Sequence, residues 1–110
     1  MQDYHKHHIV FRSQGGLDFP LNLKELTYEQ HEGPNGPHQN RLVDLAFKKE
    51  LQKKLYNLFP KGFYTIEEIS EKLGRTKRYF EKHFKKVPST PEGLYESEDV
   101  IRKLMGGKIY

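Results

Sequence analysis

The chain has 110 residues, with 19 Lys+Arg against 15 Asp+Glu and 35% hydrophobic residues. That length holds one domain or two very small ones, and excludes a barrel or a doubly wound sheet enzyme. The absence of cysteine excludes a disulfide framework and any Cys-ligated zinc or iron–sulfur site, and leaves six histidines as the candidate metal ligands.

A core this small often needs a staple, such as a metal or a partner. Residues 1–8 lack the apolar segment of a secretion signal. No apolar run approaches the roughly 18 residues of a membrane helix. The expectation is a soluble, cytoplasmic protein with no membrane partner. The net charge of +4 favours an anionic partner. Charge and histidine are unevenly placed. Residues 1–45 hold four Lys/Arg and six Asp/Glu, whereas residues 46–110 hold 15 and nine. Five of the six histidines fall in the first 38 residues. The pattern suggests a His-rich chemical part and a basic docking part.

In chain order, His8-Ile-Val-Phe11 is short, apolar and β-branched and predicts a strand. Gln14 to Leu17, with its Gly15-Gly16 pair, predicts a turn. Leu23 to Leu26 predicts a second strand or a short helix. Two Gly and two Pro within residues 32–37 predict an irregular loop. Leu42, Leu45/Ala46, Leu51, Leu55 and Leu58 recur at helical spacing and predict a helix over 41–59, with Lys48, Lys49, Lys53 and Lys54 on its polar face. Thr65 and Glu68 fit a capping box. They open a helix with Ile66, Ile69 and Leu73 on one face, closed by Gly74. Thr76 caps a next helix reaching about Lys86, with Tyr79, Phe80, His83, Phe84 and Val87 as its apolar face. There His83 reads as a packed core residue. Leu94-Tyr95 predicts a short strand. Ser97 is read as the cap of a last helix, with Val100, Ile101, Leu104 and Met105 facing inward.

Phosphodiester cleavage needs a base for water, a cation for the charged phosphate, and a group that orients the base. Neutral imidazole serves as base or ligand near pH 7. Adjacent strand residues point to opposite faces, so His7 and His8 share a pocket only at a bend or strand end. The Gly15-Gly16 turn brings Asn22 back toward His8, where its amide can orient the base.

The order His7-His8, Gly15-Gly16, Asn22-Leu23-x-x-Leu26 and His31 resembles the HNH (ββα-metal) nuclease family, phage-type members included. The resemblance covers about residues 5–45. It implies His8 as general base, Asn22 as its support, and His7 and His31 as metal ligands, His31 on the helix of the ββα unit. His38 is implied as a third ligand or phosphate contact. Many relatives carry structural-zinc cysteines where this chain has Thr27 and Gln30. The implied activity is metal-dependent nicking or cleavage of DNA with Mg²⁺, Mn²⁺, Zn²⁺ or Ni²⁺; imidazole ligands lean toward the later transition metals. Arg12 and Arg41 are candidate phosphate contacts.

Residues 65–86 have the layout of a helix-turn-helix. The second helix opens Arg75-Thr76-Lys77-Arg78 and continues through Lys82, and such a start suits major-groove and phosphate contact. The segment after it resembles excisionase-type winged helices. The expected fold is α+β: a ββα-metal unit over 1–45, a bridging helix over 41–60 and a winged-helix-like DNA-binding unit over 63–110. The expected function is a metal-dependent DNA endonuclease, monomeric or homodimeric. The alternatives are a non-catalytic DNA-binding or regulatory protein, or a phage inhibitor of a host protein, that keeps the metal-stapled scaffold.

Overall fold

The structure is a computed structural model and describes residues 4–110; the first three residues of the segment read above for a secretion signal lie outside it. The protein is α+β. Strand β1 (Tyr4–His8) pairs antiparallel with β2 (Leu23–Thr27), setting Tyr4 opposite Thr27 and His8 opposite Leu23. The first strand therefore ends at His8 instead of spanning residues 8–11. Ile9 and Val10 leave the ladder because both side chains enter the core, Val10 fully buried. Their backbone is held instead by Asn22, whose carbonyl accepts from the Ile9 amide at 2.8 Å. Gly16 lies against that bend. A Cβ there would stand 1.8 Å from the Val10 carbonyl oxygen, so only glycine fits.

Helix α1 (Tyr28–Glu32) follows β2 without a gap. Thr27 Oγ1 accepts from the Gln30 amide, and Gln30 Oε1 accepts from the Thr27 amide. This capping box fixes the strand-to-helix junction by hydrogen bonds. Residues 33–40 form a chain of tight turns. Gly36 there packs on the end of α1, where a Cβ would come within 2.6 Å of the His31 carbonyl oxygen.

Helix α2 (Arg41–Leu58) is capped by Asn40, whose Oδ1 accepts from the Leu42 and Val43 amides. Its apolar face is as expected at Leu51 and Leu55, both buried. Two positions differ. Leu42 is 78% exposed, whereas Lys48, expected on the polar face, is 1% exposed. Burial of the ammonium is compensated one turn back, where both Asp44 carboxylate oxygens accept from Nζ at 2.7 and 2.8 Å. Nζ also lies 4.4 Å from the Phe11 ring centroid.

The remaining elements are β3 (Phe63–Tyr64), α3 (Ile66–Leu73), α4 (Lys77–His83), β4 (Tyr95–Glu96) and α5 (Ser97–Leu104). The Thr65–Glu68 capping box and the Gly74 stop are present as read from the sequence. Thr76 caps α4 by accepting from the Tyr79 amide. Helix α4 ends at His83, three residues before the expected Lys86, because Phe84 is buried and the chain turns over it, with the Val87 amide donating to the Phe84 carbonyl. Strand β3 was not evident from the sequence; it pairs antiparallel with β4. Ser97 is not a cap. Its amide donates to the Gly62 carbonyl at 2.9 Å, which makes it the first residue of α5.

One apolar core joins the N- and C-terminal portions. Ile9, Val10, Leu17 and Phe19 belong to the same cluster as Leu51, Leu55 and Phe59 of the α2 region and Ile69, Phe80, Val100 and Leu104 beyond it. No helix among the described residues is long and apolar enough to cross a membrane.

Candidate metal centre

Three elements deliver three imidazoles to one place. His7 comes from β1, His31 from the last turn of α1, and His38 from the turns that follow. Each offers a ring nitrogen, and these nitrogens all lie within 4.8 Å of one another. His31 and His38 meet through their Nε2 atoms at 2.7 Å. Two ring nitrogens this close need a shared proton or a common cation. Burial falls across the cluster: His7 is buried, His31 half-buried and His38 exposed, so the site opens at His38.

The donors fit a divalent cation. His7 Nε2 is buried without a hydrogen-bond partner, an unusual state for a polar atom and one that a metal would relieve. Glu32 Oε1 lies 3.3 Å from His31 Nδ1 but without hydrogen-bond alignment, so it acts on that ring as a charge. That negative charge raises the basicity of the ring, against the burial and the His38 imidazole that lower it. Phe11 walls the site, its ring centroid 5.4 Å from His7 and 4.9 Å from His38. Burial, reinforced by the His31 and His38 imidazoles, pushes His7 down from 6.5 to about 4. Burial also lowers His31, with His38 adding to it. Both rings are thereby kept neutral, the form that coordinates metal.

These shifts have a consequence for the metal-free protein. Unfolded His7 titrates near 6.5 and folded His7 near 4, so the unfolded chain binds more protons between those values. Stability from this group is complete above pH 6.5 and is lost as pH falls toward 4, by up to about 3 kcal/mol at 1.36 kcal/mol per unit. Urea unfolding in EDTA at pH 6.5 and pH 4.5 measures it. His7→Gln is expected to reduce the acid loss, and an equal loss in both proteins would contradict the assignment.

His8 lines the same cleft as His7, His31 and His38, together with Lys6, Phe11, Arg12 and Ser13. Its position at the strand end is what lets adjacent histidines share the space. Two other clefts, one bordered by Ile9, Leu21 and Leu51 and one by Leu26, Thr27 and Gln30, contain no histidine.

The Asn22 side chain makes no hydrogen bond to the His8 ring. It is fully buried, and its Oδ1 accepts from the Val10 amide at 2.8 Å. Its Nδ2 donates to the Val10 and Leu17 carbonyls at 3.2 and 2.9 Å. A buried amide saturates its bonds on the nearest backbone groups, so Asn22 fastens the bend behind His8 and leaves the ring itself to another residue. That residue is Asp18, whose Oδ1 lies 2.5 Å from His8 Nε2. The sequence reading missed it. The available signal was that Asp18 is the only carboxylate between His8 and Asn22. The His8 contact, with Arg12 adding to it, holds the Asp18 carboxyl below its usual range.

The candidate DNA contacts are dispersed. Arg12 is at the cleft, its guanidinium 3.5 Å from Asp18. Arg41 is exposed at the start of α2 and does not line the cleft. Arg75, Thr76, Lys77, Arg78 and Lys82 are exposed at α4. Lys77 is engaged by Glu67 at 2.8 Å and Glu81 at 3.6 Å, and the Thr76 hydroxyl serves as the helix cap. Arg75 lies over Tyr79 at 4.0 Å from the ring centroid. Half-buried His83 stacks against the same ring at 4.5 Å, in keeping with a packing role.

Compared with family models, curated proteins and solved structures, the chain has no match in any of the three.

Proposed function

We propose that the protein is a metal-dependent DNA endonuclease of the HNH (ββα-metal) type. The observation that carries this reading is the convergence of His7, His31 and His38 within 4.8 Å, with His8 lining the same cleft. The local order of two antiparallel strands followed directly by α1 agrees with a ββα unit. In this reading His7, His31 and His38 hold the cation. When bound, the cation supplies positive charge for the scissile phosphate and the departing 3′ oxygen. His8 accepts the proton of the attacking water. Arg12, exposed at the cleft, contacts phosphate. The basic residues Arg75, Lys77, Arg78 and Lys82 on and just before α4 dock the duplex, with Arg41 as a further phosphate contact. Neutral His7 adds no positive charge of its own to repel a cation.

Supercoiled plasmid incubated with Mg²⁺, Mn²⁺, Zn²⁺ or Ni²⁺, and with EDTA, tests the proposal. Open circles that form with at least one metal and not with EDTA are expected. Gel shifts without nicking under any metal would replace the enzyme with a DNA-binding protein built on the same scaffold. Absence of both would leave neither standing.

A further inference from the structure

The turn after His8 returns its one carboxylate to the strand end, and the contact made there fixes the state of the ring. Asp18 Oδ1 stands 2.5 Å from His8 Nε2. Arg12 Nε approaches the same nitrogen at 3.4 Å. A ring nitrogen that donates to Asp18 cannot also accept from Arg12. The shorter contact decides, and Arg12 pairs with the carboxylate instead, at 3.5 Å. The proton of neutral His8 then belongs on Nε2 and the lone pair on Nδ1.

Asp18 is itself held from a distant part of the chain. Its backbone amide donates to Tyr79 Oη at 2.7 Å, and Tyr79 belongs to α4, with Arg75 stacked on its ring. The helix carrying the candidate docking residues is thereby tied to the loop that orients the candidate base.

We propose that Asp18 is the positioning residue of His8, fixing its Nε2–H tautomer and orientation, and that Tyr79 holds Asp18 in place. The inference rests on the reading of His8 as the base. In the step it serves, a water O–H bond breaks and its proton passes to Nδ1. The water oxygen bonds to phosphorus, the P–O3′ bond breaks, and the leaving oxygen takes a proton from solvent. The imidazolium so formed keeps its Nε2–H on the Asp18 carboxylate, which steadies the positive charge. A half-buried His–Asp pair at the rim of a cleft adds little to stability, so its effect should lie in rate and tautomer more than in folding.

Two readouts on Asp18→Asn and Asp18→Ala test this. Imidazole ¹⁵N NMR of the metal-free protein is expected to show the Nε2–H tautomer of His8 in the wild type and a mixture in both variants. Nicking is expected to lose ten- to a hundredfold in kcat with KM little changed, as for loss of a supporting carboxylate. Asp18→Glu should recover part of it, and Tyr79→Phe should lose less than Asp18→Ala. An unchanged His8 tautomer overturns the inference. So does wild-type nicking by both Asp18 variants while His8→Ala is inactive. If the wild type fails to nick with any of the four metals, the endonuclease reading fails alone, and the tautomer still decides the role of Asp18.

Discussion

Replacing His8 by Ala is expected to lower metal-dependent nicking by about 10²- to 10⁴-fold, the usual contribution of a positioned general base. Fold and metal uptake should survive. His8 is outside the three-imidazole cluster, and its ring makes its polar contact with Asp18 at the edge of the cleft. The separation matters because His7→Ala should behave differently, losing activity together with the metal. Single-turnover nicking, with circular dichroism and metal titration on the same samples, distinguishes the two. A His8→Ala protein that nicks at the wild-type rate would remove the base from position 8.

Asn22→Ala is expected to act through stability. The side chain is fully buried and satisfies one backbone amide and two backbone carbonyls, at Val10 and Leu17. Removing it leaves three buried polar groups without partners. At about 1–3 kcal/mol for each unsatisfied group, partly relieved by entering water, a loss of about 3–5 kcal/mol follows. That is a large part of the 5–15 kcal/mol typical of a small domain, and should lower the melting temperature by at least about 10 °C. Asn22→Asp should do nearly as badly, since a carboxylate keeps the acceptor but presents oxygen to the two carbonyls. Thermal unfolding by circular dichroism checks both. Melting within a few degrees of the wild type would show that the bend at residues 9–17 is held by its packing alone.

What could be read from the sequence was mostly what depends on neighbours a few residues away. The Thr65–Glu68 and Thr76 caps and the length of α2 follow from local hydrogen bonding and helical periodicity, and the structure has them as read. The grouping of His7, His31 and His38 came from the resemblance to the HNH family instead, and these residues do meet. The misread features depend on partners remote in sequence or on which neighbour a side chain faces. Lys48 looked like surface because its burial requires Phe11 above it as well as Asp44 one turn away. Strand β3 has two residues and finds β4 across about thirty positions, with too little side-chain alternation to register as a pattern. Asn22 was expected to orient His8, and Asp18 had no expected role; only the fold shows that Asn22 faces the backbone and Asp18 the ring.

Calorimetric titration of the metal-free protein with Ni²⁺ or Zn²⁺ tests the three-imidazole centre most directly. One ion per chain should bind, with an accompanying rise in melting temperature, and His31→Ala should weaken binding at least tenfold. Heat-silent titrations with no change in melting, or a His31→Ala protein that binds as tightly as the wild type, would show that the three rings do not form a metal site.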